Sequence, residues 1–241
     1  MTALLEVDAV ARSFGGVQAL RRVDFAVREQ AILGLVGPNG SGKSTLMNIV
    51  NGFDRPTTGR VTFDARDVTA WSADRRARAG VGRVFQRPHL IHSWSAWENV
   101  AAGLYLHWRP RRRDRRAAAT EILDRLGLAD QADTQAGGLP FGRQRMVEIA
   151  RALAQQPRLL LLDEPATGMT AAERGELSAT LERVRGEGVT VIVVEHDTRF
   201  IFGLCDRVVV LDAGEVLADG TPDEVARDER VAAAYLGTAG G

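Results

Sequence analysis

The chain has 241 residues and balances 31 Lys and Arg against 31 Asp and Glu, so its formal net charge is zero. That balance removes any global electrostatic case for a nucleic-acid partner, and the length is enough for one large α/β domain with its own core. One cysteine, Cys205, excludes an internal disulfide framework and suits a reducing compartment, and no window of about 18 apolar residues reads as a membrane span.

Residues 4–10 and 22–27 alternate apolar and polar side chains, the pattern of half-buried antiparallel strands. "AILGLVG" at 31–37 is a continuous apolar run, which predicts a strand covered on both faces. The same pattern recurs in "LLLLD" at 159–163, "VTVIVVE" at 189–195 and "RVVVLDAG" at 207–214, with helical stretches between. Together these predict an α/β fold: a parallel, doubly wound sheet with an antiparallel edge supplied by the N-terminal strands. Residues 98–156 carry helical periodicity and almost no β-branched runs, so roughly 88–157 reads as a helical insertion. Cys205 follows an apolar helical stretch and is expected to be a packed core thiol. The run "RPRRRDRR" at 109–116 leads into "AAATEILDRLGL" and reads as a solvated loop and helix start, with a nucleic-acid or anionic-lipid patch as the alternative.

The strongest motif is "GPNGSGKST", residues 37–45, which fits G-x-x-x-x-G-K-[ST] directly after a predicted buried strand. Gly37, Pro38, Asn39, Gly40, Ser41 and Gly42 would curl the backbone so that successive N–H groups face phosphate oxygens, and the helix opened by Lys43, Ser44 and Thr45 adds its positive N-terminus. Lys43 would reach the β- and γ-phosphates, and the Ser44 hydroxyl would hold Mg²⁺. "LLLLDEP" delivers Asp163 at the polar end of a buried strand, where a carboxylate can coordinate the same Mg²⁺. Glu164 points differently and suits polarising a water for attack on the γ-phosphate. "VVEHD" places His196 at the C-terminal edge of the same sheet, where a neutral imidazole can bond the γ-phosphate. His89, His92 and His107 have no metal-ligand spacing, so no metal is expected beyond the nucleotide's Mg²⁺.

The phosphate loop, "VGRVFQRP", "LLLLDEP" and "VVEHD", in that order, resemble the ATP-binding cassette subunits of ABC transporters. Within that superfamily, "FGGVQAL", "NGFDRPTTGRVTFDARDVT", "GRQRMVEIARALAQQPRLLLLDEPATGM" and "LADGTPDEVARDERVAAAYLG" look most like the ATPase subunits of branched-chain amino-acid importers. The resemblance implies a single domain over 1–241: a P-loop NTPase, RecA-like core in 1–87 and 158–241, with a helical subdomain in 88–157. It implies ATP and Mg²⁺ as ligands, Phe14 stacking on adenine, Gln86 linking the metal site to the helical subdomain and ligating Mg²⁺ with Ser44 and Asp163, Glu164 as catalytic glutamate, and His196 as switch histidine.

Such cassettes pair head to tail, as homodimer or heterodimer, and each closes its partner's ATP with a signature segment. Here that segment is "LPFGRQ": Pro140 and Phe141 stand where a serine and a glycine are usual, Gly142 remains, and Arg143 takes the glutamine position. The hydroxyl and N–H lost at Pro140 are offset by the helix N-terminus and the Arg143 cation. Thr170 stands where many cassettes carry an aspartate. The partners implied are integral membrane permease subunits and, indirectly, a solute-binding protein, with no nucleic acid; the site of action is the cytoplasmic face of the membrane. The aromatic stretch at 89–108 is the expected docking surface. The function implied is an ATPase energising import of hydrophobic or branched-chain amino acids, with lipid or glycolipid export, or a weakly catalytic regulatory cassette, as alternatives.

Overall fold

The computed structural model describes residues 3–87, 89–106 and 112–236. The chain opens with a hairpin, β1 (Ala3–Phe14) and β2 (Val17–Arg28), passes through β3 (Ile32–Val36) into α1 (Lys43–Asn51), and returns to the sheet edge with β4 (Thr58–Phe63) and β5 (Arg66–Asp67). After α2 (Ala73–Arg78) and β6 (Val81–Val84) come α3 (Ala96–Gly103), α4 (Arg112–Arg125) and α5 (Phe141–Leu153), with no named strand among the described residues between them. The last part alternates strand and helix: β7 (Leu159–Asp163), α6 (Ala171–Gly186), β8 (Thr190–Val194), α7 (Thr198–Leu204) and β9 (Arg207–Asp212). β10 (Glu215–Gly220), α8 (Pro222–Ala226) and α9 (Glu229–Leu236) complete it.

One ten-stranded sheet runs in the order β5-β4-β1-β2-β10-β9-β3-β8-β7-β6. The strands β9, β3, β8, β7 and β6 are parallel, as their apolar runs predict. The antiparallel part is larger than the N-terminal hairpin, because β4 and β5 extend it and β10 turns back beside β9. That turn, Ala213 and Gly214, is left-handed at both residues (φ 45 and 80), as a two-residue hairpin requires. β1 and β2 outrun the alternating stretches 4–10 and 22–27 because register shifts between Val7 and Val10, and between Val10 and Arg12, break the two-residue period.

Each parallel strand feeds two cores. Ile32 and Val36 of β3, Leu160 and Leu162 of β7, and Val208 and Val210 of β9 pack with α3 to α7. Leu33, Leu35, Leu159, Leu161, Val209 and Leu211 pack on α1 and the antiparallel strands. Cys205 is buried in the first core, where burial pushes its thiol up to about 12. Of the basic run, residues 109–111 lie outside the described residues; α4 starts at Arg112, Arg115 stacks 5.2 Å over the Tyr105 ring, and Arg116 pairs with Asp133 on the surface. No helix among the described residues is long and apolar enough to cross a membrane.

Candidate functional site

Loops after the carboxyl ends of four parallel strands meet on one edge of the sheet, where open α/β sheets hold ligands. A cleft of about 360 Å³ is lined there by Asn39 to Thr45, Val17, Gln18, Asp163, Glu164 and His196. The loop after β3 is left-handed at Gly40 and Gly42 (φ 80 and 104) and runs into α1 without a side-chain cap, so the first helical N–H groups are left for a ligand. Lys43, only 6% exposed, folds back on its own loop and donates to Gly37 O at 2.7 Å and Pro38 O at 2.9 Å. Burial holds its ammonium below the ordinary lysine value, and the Glu164 and Asp163 carboxylates oppose that shift.

Asp163 ends β7 with its carboxylate nearly enclosed. Its Oδ2 accepts from Arg83 of β6 at 3.1 Å, and Arg83 also donates to Asn48 of α1 at 2.7 Å, so one guanidinium ties the strand end to the phosphate-loop helix. Glu164 follows in a left-handed conformation (φ 46), which costs a non-glycine residue of order 1 kcal/mol. That backbone turns the side chain towards three neighbours: Gln86 Nε2 donates to Oε2 at 2.7 Å, His196 Nε2 donates to Oε1 at 2.8 Å, and Thr167 Oγ1 lies 3.4 Å from Oε2. Glu195 is 2% exposed and accepts from the N–H groups of Ala166 at 2.7 Å and His196 at 3.3 Å. It thereby holds the chain after Glu164 against the histidine; burial pushes its carboxyl above the ordinary glutamate range, against those two donors.

The structure thus brings Lys43, Ser44, Thr45, Asp163, Glu164 and His196 to one cleft and Gln86 to its edge. Phe14 lies at the end of β1, 46% exposed, with the Arg12 guanidinium 4.3 Å from its ring centroid; it does not line the cleft, although Val17 and Gln18 of the next strand do. None of Pro140, Phe141, Gly142 and Arg143 lines it either. Those four start α5, with Phe141 42% exposed and Arg143 bonded at 3.1 Å to Glu176 of α6. Thr170 caps α6 in a capping box with Glu173. Ile91, Trp94 and Tyr105 are exposed, Trp97 packs partly on the core, and His107 and Trp108 lie outside the described residues.

Arg83, Thr167 and Glu195 were not legible as site residues in sequence. Arg83 left a signal, a charge inside the otherwise apolar β6, and Glu195 another, a charge at the end of the apolar run 189–195. The Ser44 hydroxyl, the Gln86 amide oxygen and the Asp163 carboxylate are hard oxygens that would suit Mg²⁺. Among the described residues no group of three or more His, Cys, Asp and Glu converges to hold an ion. A metal held by Ser44, Gln86 and Asp163 would take its remaining ligands from phosphate and water, as Mg²⁺ does.

The chain is similar to known proteins along nearly its whole length. The family described as ABC transporter matches residues 20–167, and that described as Branched-chain amino acid ATP-binding cassette transporter matches residues 215–240. The chain is 37% identical over 251 residues to the high-affinity branched-chain amino acid transport ATP-binding protein BraF of Pseudomonas aeruginosa, with 98% of each covered. It is 36% identical over 238 residues to the lipopolysaccharide export system ATP-binding protein LptB of Acidithiobacillus ferridurans, again with 98% of each covered. Among solved structures, an ABC-transporter cassette in its ADP conformation superposes with a TM-score of 0.91 at 28% identity, over 98% of this chain and 100% of that one. A dimeric cassette in a post-hydrolysis state, bound to ADP and Pi, superposes at 0.81 with 30% identity, over 90% of this chain and 98% of that one. The chain belongs to the ABC transporter family, as one of its nucleotide-binding, ATP-hydrolysing cassettes.

Proposed function

We propose that this cassette binds MgATP, hydrolyses it at Glu164, and energises import of branched-chain or other hydrophobic amino acids through a membrane permease. The observation that carries the hydrolytic part is the suspension of Glu164 between Gln86 and His196, beside a phosphate loop whose lysine is held in place. An arriving polyphosphate competes with Gly37 O and Pro38 O for the Lys43 ammonium, and its charge offsets the burial that weakens that cation. Ser44, Asp163 and Gln86 would hold Mg²⁺, which neutralises charge on the transferring phosphoryl group. Glu164 takes the proton of the attacking water, Gln86 and His196 aim it, and Phe14 stacks its free face on adenine.

The α5 start completes the ATP site of a second cassette, in a homodimer or heterodimer. That Pro140 to Arg143 lie outside their own chain's cleft supports this reading, as does the dimeric assembly of a similar cassette. Residues 88–157 act as the helical subdomain and 1–87 with 158–241 as the catalytic core, with permease subunits docked on the exposed Ile91, Trp94 and Tyr105, at the cytoplasmic face of the membrane. A solute-binding protein upstream of the permease selects the cargo. Similarity to BraF and the match of residues 215–240 favour amino-acid import; similarity to LptB keeps lipid export as the second reading.

The test is turnover of the permease-bound complex. Glu164→Gln is expected to lower kcat by about 10²- to 10⁴-fold while ATP binding persists. Equal turnover in both proteins would remove Glu164 from its role. Uptake of radiolabelled leucine into vesicles carrying the complex separates the two cargo readings, since an exporter of lipid shows none.

A further inference from the structure

Three charged residues on one face of α5 are spent on an irregular piece of backbone. Phe85, Gln86 and His89 belong to no helix or strand. The buried Arg145, 0% exposed, donates from Nη1 to Phe85 O and from Nη2 to Gln86 O. Its neighbour Glu148, 2% exposed, accepts from Arg145 Nη1 at 2.8 Å and from His89 N at 2.8 Å. Arg151 completes the set, donating to His89 O at 2.7 Å and lying 3.6 Å from Glu148. Burying such charges is expensive, and apolar packing of the same volume is often at least as stable. Stability alone therefore does not account for the set. Its four backbone contacts all fall on the segment that presents Gln86, whose side chain holds Glu164 at 2.7 Å.

The other end of the network reaches the start of α5. The Arg145 guanidinium lies 5.8 Å from the Phe141 ring centroid, one helical turn back, and that ring replaces a glycine in the usual signature. A continuous line of contacts runs from Phe141 through Arg145 to the Gln86 backbone and on to the carboxylate of Glu164.

We propose that Arg145 and Glu148 are positioning residues for hydrolysis: they fasten the Gln86 segment to α5, so that the pose of the α5 start, where a partner's nucleotide is met, sets the pose of Glu164. This rests on the proposed role of Glu164. Arg145 bridges two carbonyls with one planar fork, a geometry lysine cannot reproduce. Glu148→Gln keeps an acceptor for His89 N and loses the charge that orients Arg145.

A double-mutant cycle on ATP turnover of the permease-bound complex decides it, with Arg145→Lys, Glu148→Gln and Gln86→Ala made singly and each of the first two combined with the third. Expected are a fall in kcat of about 5- to 20-fold in Arg145→Lys and Glu148→Gln, a KM for ATP within about twofold of wild type, and no further loss when either is added to Gln86→Ala. Losses that multiply in the double variants, or an unchanged kcat with only a lowered Tm, would overturn the proposal. Should Arg145→Lys fail to fold, Glu148→Gln carries the same cycle alone. Glu164→Gln run in parallel separates the two levels: if it retains turnover the hydrolytic reading fails, whereas if it abolishes turnover and the cycle is multiplicative, only the positioning role fails.

Discussion

Residues 37–45 and 137–146 are both glycine-bearing approaches to a helix, and both enter it without a side-chain cap, at Gly42 for α1 and Pro140 for α5. Their glycines answer different demands. Gly42 is left-handed, and a Cβ there would meet Ala19 O at 2.8 Å and Leu20 Cδ2 at 2.5 Å, so the loop both curls and sits against β2. Gly142 is helical, and its Cβ would meet Glu173 Oε1 at 2.3 Å, so it is small to admit the capping box of α6. The first stretch folds around a cleft with a buried lysine at its floor; the second exposes Pro140 and Phe141, draws Arg143 aside to Glu176 and buries Arg145 against the Phe85 and Gln86 carbonyls. Both stretches enclose a cation, Lys43 and Arg145; only the first bends its backbone around a cleft, with Gly40 and Gly42 in the left-handed conformation.

The largest effect expected from this difference is on nucleotide affinity of the isolated cassette. Lys43→Ala removes a charge-assisted contact and should weaken ATP binding about 10- to 150-fold, while Arg143→Ala should stay within about twofold. Titration with a fluorescent ATP analogue measures both, and similar losses in the two would erase the distinction. Stability comes next. Gly42→Ala meets backbone as well as a left-handed φ and should cost about 1–3 kcal/mol. Gly142→Ala only displaces the Glu173 carboxylate from its cap and should cost about 1 kcal/mol, or about 2–4 °C in Tm. Thermal unfolding of Gly142→Ala in a Glu173→Ala background should show no further drop; an undiminished drop would place the constraint elsewhere.

How much of this was legible in the sequence depended on how local the cause is. The apolar runs of β3, β7, β8 and β9 announce strands buried on both faces, because each alternate residue feeds a different core. β10, "EVLADG", gives no such signal, since it is half exposed and exists because the Ala213–Gly214 turn folds it onto β9. The motifs fixed Lys43, Asp163, Glu164 and His196 as candidates, yet the bonds from Gln86 and His196 to Glu164 join residues 78 and 32 positions apart. Arg145 reaches Phe85 O and Gln86 O across about 60 positions, so its helix-like setting in "GRQRMVEIAR" hides what it holds. Arg143 is expected to face a partner's ligand; in the single chain its guanidinium lies 3.1 Å from Glu176, a pairing that one residue type does not announce.

The smallest expected effect concerns the residue that most sets the second stretch apart. Pro140 already has the extended backbone of a helix N-cap (φ −55, ψ 152), so serine fits there without rearrangement. A serine hydroxyl would accept from an α5 N–H that now has no side-chain cap, stabilising the helix by about 1 kcal/mol. Losing proline frees the unfolded chain and costs about 0.4–1 kcal/mol in the other direction. The two nearly cancel, so Pro140→Ser should move Tm by less than about 2 °C. Because the new hydroxyl bonds its own helix in the isolated chain, it must break that bond to face a partner's phosphate, which limits any gain in ATP-driven dimerisation to about threefold. Sedimentation of the Glu164→Gln protein with and without Pro140→Ser measures that gain. A much larger one would mean that the α5 start is a damaged nucleotide contact rather than one in which the helix N-terminus and Arg143 offset the missing serine.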